Sequence, residues 1–334
     1  MRNHPSISVE TRRRIQKLAE RLGYRPHPLV SILMRQVRAS RPSSAPLTLA
    51  MVIPFSCKDP WRTYLSYDLI TAAALCAESQ GYRLEEFWMG DLGMTSRRLS
   101  DVLYHRGITG LIISPLSVAH GHLNLDWSRF SAVAIGHSLA KPDLNRVTTH
   151  RFQAMRMAVR RLRDMGYERL GLAIDANQDS RVDHQWTAAF EWEQRHCAAK
   201  QRTRVLITDQ DQWGEAVFGR WFKVNRPQMV FGYDPSIIVW LKNLGQRVPE
   251  DVGFVHLWAP DSAGQYAGIY HNPPTLGMAA VNLLIGMIQR NERGLPETPQ
   301  TLLLNASWVD GATVIPLQGG RPAAPDMTRP EAID

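Results

Sequence analysis

Cysteine is scarce: Cys57, Cys76 and Cys197 are far apart and form no CxxC pair. An odd, scattered set excludes a disulfide framework and a zinc cluster, and leaves three buried small hydrophobes as the expectation. No apolar run reaches the roughly 18 residues that a membrane span requires. The opening Met1-Arg2-Asn3-His4-Pro5 also lacks the apolar stretch of a signal peptide, so a cytoplasmic chain without a membrane partner is expected. The patterns GxxxxGK[ST], GxGxxG and HExxH are missing too. Phosphate-loop, dinucleotide and zincin chemistries therefore have no carrier, and no cofactor is expected. His120-Gly121-His122 has no third ligand nearby in the sequence, so no metal is expected either.

One catalytic pattern is present in form only. Gly136-His137-Ser138-Leu139-Ala140 follows a strand-like run and looks like the nucleophile elbow of a serine hydrolase. That elbow needs a helix immediately after the serine, because the tight strand-to-helix turn exposes the hydroxyl. Here Lys141-Pro142-Asp143 intervenes, the next segment reads as strand, and the last glycine of the pattern is Ala140. Catalysis by Ser138 is the least favoured reading, and the chain is expected not to be an enzyme.

What the sequence does have is core-forming residues and an uneven charge. Its 334 residues are 44% hydrophobic and 21% charged, enough for real cores and too long for one ordinary domain. The net charge is +8, and residues 1–41 carry ten Arg and Lys against only Glu10 and Glu20. The rest of the chain is therefore neutral. A neutral body with a basic head is the asymmetry of a polyanion-binding appendage.

Residues 8–23 predict a helix, with Ser8 as N-cap, Ile15, Leu18, Ala19 and Leu22 at helical spacing, and Gly23 as its stop. Tyr24-Arg25-Pro26-His27-Pro28 forces an extended segment, because the residue before each proline is pushed out of the α region. A second short helix is expected over Pro28–Arg38, then an aperiodic linker over 39–46. Beyond it, strand and helix patterns alternate to about residue 315. Runs such as Gly110–Ser114, Arg169–Ile174 and Val252–Leu257 are apolar nearly throughout, as strands covered on both faces by helices are. The fold class is α/β, with two doubly wound parallel-sheet lobes after a short helical segment. The Gly-, Pro- and Ala-rich residues 318–334 read as a disordered tail.

The segment Ile7-Ser8-Val9-Glu10-Thr11-Arg12-Arg13-Arg14-Ile15, followed by Leu22-Gly23-Tyr24-Arg25-Pro26-His27-Pro28-Leu29, resembles the third DNA-domain helix and hinge of the lactose/galactose-repressor (LacI/GalR-type) transcription regulators. Gly81-Tyr82-Arg83-Leu84, Gly107–Ile113, Gly166-Tyr167, Arg247–Gly253 and Asn272–Gly277 continue the likeness, which spans roughly residues 5 to 315. It implies a periplasmic-binding-protein-like type I effector domain, a homodimer, operator DNA as partner and a small-molecule effector. It also implies a crossed division: 1–46 as a partial helix-turn-helix domain with hinge helix and linker, 47–150 with 271–298 as the first lobe, and 151–270 with 299–317 as the second.

Departures from the family pattern carry information as well. The two helices that open such proteins, the second of which reads bases in the major groove, have no counterpart beyond Arg2-Asn3, so the reading frame is expected to start upstream. By the resemblance, Arg12, His27, Ser31, Leu33 and Arg35 would touch DNA, with Leu33 as a minor-groove wedge. The effector would meet Phe55, Ser56, Trp61 and Ser114 on the first lobe, Arg181, Trp186, Tyr233, Asp234 and Trp258 on the second, and His271 in the hinge region. Trp186 and Trp258 stand where sugar-binding members often have an arginine and an aspartate. An aromatic-rich cleft for a carbohydrate or a similar ligand is the reading that follows, with tryptophans that simply pack a core as its rival. A ligand-responsive repressor is thus expected; the alternative is a small-molecule sensor without sequence-specific DNA binding.

Overall fold

A computed structural model describes residues 9–21, 47–54, 67–90, 95–260 and 264–317. Helix α1 (Val9–Arg21) carries Glu10 in its first turn and Arg21 in its last, the signs that the helix dipole favours at each end. The expected hinge helix, with His27, Ser31, Leu33 and Arg35, lies outside the described residues, as does the tail.

In the first lobe, β1 (Leu47–Ile53), α2 (Tyr67–Glu78), β2 (Tyr82–Trp88), α3 (Ser96–His105), β3 (Gly110–Ile113), β4 (Gly121–His122), β5 (Ser131–Ile135), β6 (Leu139–Lys141) and β7 (Asn145–Thr149) follow in turn. The second lobe comprises α4 (Arg151–Asp164), β8 (Leu170–Asp175), α5 (Ala176–Ser180), α6 (Gln185–Arg195), β9 (Leu206–Thr208), α7 (Glu215–Asn225), β10 (Met229–Gly232), α8 (Ser236–Asn243), β11 (Gly253–His256) and β12 (Ala267–Tyr270). The chain then returns to the first lobe for α9 (Pro273–Arg290) and β13 (Thr301–Leu304), and ends in the second with β14 (Ser307–Val309).

The first six-stranded sheet has the order β13-β7-β5-β3-β1-β2 and the second β14-β12-β11-β10-β8-β9. All pairings in the second are parallel except β12 with β14. The unbroken apolar runs are explained by two-sided burial. In the second lobe Leu172, Ile174, Phe231 and Val255 enter one core with α4 and α6, while the alternate residues Ala173, Val230 and Phe254 enter another with α7 and α8.

The lobes divide as Gly121–Thr148 and Pro273–Leu302 with the preceding residues up to Ser117, against Val118–His120, Thr149–Asn272 and Leu303 onwards. The final division, expected after 298, lies at 302/303, within β13 (Thr301–Leu304), the strand that joins β7 in the first sheet. Two of the cysteines also differ from expectation. Cys76 and Cys197 are half-buried free thiols, and the Cys197 thiol donates to the Gln194 carbonyl at 3.1 Å; Cys57 lies outside the described residues.

Candidate ligand-binding site

In the second sheet the strand order reverses between β8 and β10, and in open α/β sheets this is where ligands gather, beyond the carboxyl ends of the strands. Asp175 ends β8, Tyr233-Asp234 follow β10, and His256 and Trp258 mark the end of β11. Each side chain is set by local structure. Asp175 caps α5, its Oδ1 accepting from the Gln178 amide at 3.0 Å. Asp234 accepts from the Ser236 amide and from the Trp213 indole N–H, both at 2.9 Å. Burial raises the Asp175 carboxyl above the ordinary range, the capping amides and Arg181 pull it back, and the charge of Asp234 adds to the rise. The Asp175 carboxylate is thus faced by a buried guanidinium, Arg181, whose Nη1 donates to Gln178 Oε1 at 3.2 Å.

Behind this front lies an aromatic and cationic layer. The Trp186 indole N–H donates to the Tyr233 hydroxyl at 2.8 Å, and its ring meets Tyr233 and His271 edge-on at 6.3 and 5.8 Å. Arg151, in the first turn of α4, is buried and hydrogen-bonded to Tyr233; burial lowers its pKa and raises that of the Tyr233 phenol. Trp258, half-buried, stacks on His271 with ring centres 4.1 Å apart and planes within 16°. His271 is buried and neutral, its pKa lowered to about 3 mainly by burial; Nε2–H donates to the Leu257 carbonyl at 2.7 Å, and buried Nδ1 has no partner.

The structure therefore brings together Arg181, Trp186, Tyr233, Asp234, Trp258 and His271 in the second lobe. It changes the expected part of one of them. Trp186 has no exposed surface and belongs to the core of its lobe, so here it offers no open face for stacking. In the first lobe, Ser114 lies just past β3, buried, with its hydroxyl unpartnered; Phe55, Ser56 and Trp61 lie outside the described residues. Sequence reasoning missed Arg151, Asp175 and His256. The signal was their position: each stands at the carboxyl end of a strand or within two residues of it.

The hydrolase-like pattern is buried framework. Gly136 turns with φ 76°, strand β6 follows in place of a helix, and Ser138 Oγ accepts from the Leu116 amide at 2.8 Å. Among the described residues no group of three or more His, Cys, Asp and Glu side chains could hold a metal ion, and no helix is long and apolar enough to cross a membrane.

Comparison with known proteins agrees with this architecture. Residues 159–314 match the family described as a periplasmic binding protein-like domain. Among solved structures, the transcriptional regulator CelR in complex with cellobiose superposes with a TM-score of 0.60 at 17% identity, covering 93% of this chain and 92% of that one. The LacI-family regulator CCPA of Weissella paramesenteroides with bound glucose gives 0.57 at 14%, covering 81% and 99%. A LacI transcriptional regulator from a Rhodococcus species gives 0.59 at 17%, covering 80% and 98%. No curated protein sequence matches the chain. Residues 159–314 thus resemble a periplasmic-binding-protein-like domain, and the fold of the chain is shared with LacI-family transcription regulators.

Proposed function

We propose that this protein is a cytoplasmic, ligand-responsive transcription regulator of repressor type that senses a carbohydrate. The observation that carries the reading is the meeting of Asp175, Arg181, Tyr233 and Asp234 at the reversal of strand order in the second sheet. Carboxylates accept from sugar hydroxyls, a guanidinium donates to them, and Trp258 supplies an apolar ring beside them. The sugars bound by the cellobiose and glucose complexes of similar fold support the same ligand class. Phe55, Ser56, Trp61 and Ser114 would add contacts from the first lobe. Arg12, His27, Ser31, Leu33 and Arg35 would serve operator DNA, and a homodimer would match a two-fold operator. The reading assigns no catalysis, metal or cofactor.

Titration with a panel of mono- and disaccharides that includes cellobiose and glucose, followed by tryptophan fluorescence, tests it. At least one sugar should saturate, and Asp234→Asn and Arg181→Gln should each weaken that sugar about tenfold or more, the loss of a charge-assisted hydrogen bond. A panel without response, or an affinity that neither substitution alters, would overturn the sugar reading.

A further inference from the structure

At the amino-terminal pole of the second sheet, away from Asp175 and Asp234, lies a cavity of about 500 Å³. It forms where the C-terminal ends of α7 and α8 meet the segments entering β10 and β11. Phe222, Pro227, Leu244 and Val252 give it an apolar wall, and Lys223 and Arg226 stand at its edge. Its one lining carboxylate is already engaged: Asp251 is gripped by Arg247 through contacts of 2.8 and 2.9 Å. Lys223 and Arg226 are exposed, and among the described residues no carboxylate lies within ion-pair distance of either.

Further features point to an anion. Gln228 Oε1 accepts from the Glu168 and Arg169 amides at 2.8 and 2.9 Å, which fixes the side-chain amide and leaves Nε2 as its remaining donor at the cavity. Arg226 sits at φ 41°, ending α7 where glycine or asparagine would fit with less strain, so its side chain is kept at a conformational cost. Exposed Lys200 and Arg204 add positive charge nearby, and half-buried Arg169 donates to the carbonyls of Lys200, Asn225 and Arg226. The plain alternative, cations offsetting the carbonyl end of α7, accounts for the charge but not for the apolar wall beside it.

We propose that this cavity is a second small-molecule site, for an organic anion with a compact apolar body. Lys223 and Arg226 would hold the phosphate, sulfonate or carboxylate head, and Phe222, Leu244 and Val252 would receive the body. Phenyl phosphate is the probe, added to the full chain and followed by backbone amide NMR. Saturable shifts are expected at Gln228, Gln246 and Val252, with inorganic phosphate and phenol each far weaker. The double substitution Lys223→Gln with Arg226→Gln, on exposed side chains, should keep the thermal midpoint and raise the Kd about tenfold or more. Absent shifts, an unchanged Kd in the double variant, or shifts at Tyr233 and Asp234 in their place would overturn the assignment.

Discussion

A fully buried indole needs a partner for its N–H, and Trp186 finds one in the Tyr233 hydroxyl. The pair therefore acts first on stability. Tyr233→Phe leaves the donor unsatisfied and should cost about 1–3 kcal/mol. Trp186→Ala opens a large void and should cost about 3–5 kcal/mol. Urea denaturation measures both; a Trp186→Ala chain as stable as the parent would show that the core tolerates the loss. The neighbouring histidines make stability depend on pH. Burial lowers His256 to about 4 and His271 to about 3, whereas unfolded imidazoles take a proton near pH 6.5. Below that value the unfolded chain binds protons that the folded chain refuses. Stability should hold above about pH 6.5 and fall as the pH drops towards 4, at up to about 1.4 kcal/mol per pH unit for His271. A urea midpoint equal at pH 7.5 and 4.5 would contradict this, and His271→Gln should flatten the profile.

Helices α2 and α9 pack together in the first lobe, and at Gly277 their backbones approach closely. A Cβ there would lie 2.3 Å from the Leu69 carbonyl oxygen, which cannot yield without shifting α2. Gly277→Ala should destabilise by about 1–3 kcal/mol through overpacking. Gly286, on the same helix, faces only the flexible tip of Arg290 at 3.1 Å, so Gly286→Ala should be neutral or gain about 0.5–1 kcal/mol of helix propensity. Thermal melts of the two variants should shift in opposite directions or at least differ clearly; equal shifts would sink the argument. Elements of this kind are well marked in the sequence. Residues 110–113, 170–175 and 253–256 are legible as strands because their apolar runs are nearly unbroken, as burial on both faces requires. The placing of β13 in one sheet and β14 in the other is not visible, since both are short strands whose partners lie far away in sequence. Tyr233, Asp234 and Trp258 of the candidate site were named through the family resemblance, and the structure puts them just past the ends of strands. Arg151 was hidden because an arginine opening an amphipathic helix reads as a solvated charge, and Trp186 was misjudged because one aromatic can serve a core or a pocket equally well.

At the scale of the whole molecule the question is whether charge and fold belong to one function. The excess of +8 is concentrated before residue 42, and in α1 the side chains of Arg13, Arg14, Lys17 and Arg21 are exposed. If that segment neutralises DNA phosphates, each phosphate contact should add about 0.9 to the slope of log affinity against log salt. With about six contacts, affinity should fall roughly a thousandfold between 50 and 200 mM salt. Removing residues 1–46 should abolish that steep dependence and leave the affinity for a responding sugar nearly unchanged, because Asp175, Arg181, Tyr233 and Asp234 stand at or just past the ends of strands and helices of a lobe with its own core. Filter binding of a DNA duplex across a salt series, beside fluorescence titration of the sugar, reads both quantities on both forms. DNA affinity equal with and without residues 1–46 would remove the regulator reading for this chain and leave a sensor that does not depend on DNA. Loss of both activities together would mean instead that the basic segment supports the lobes themselves, and that the separation of roles drawn from the charge distribution is wrong.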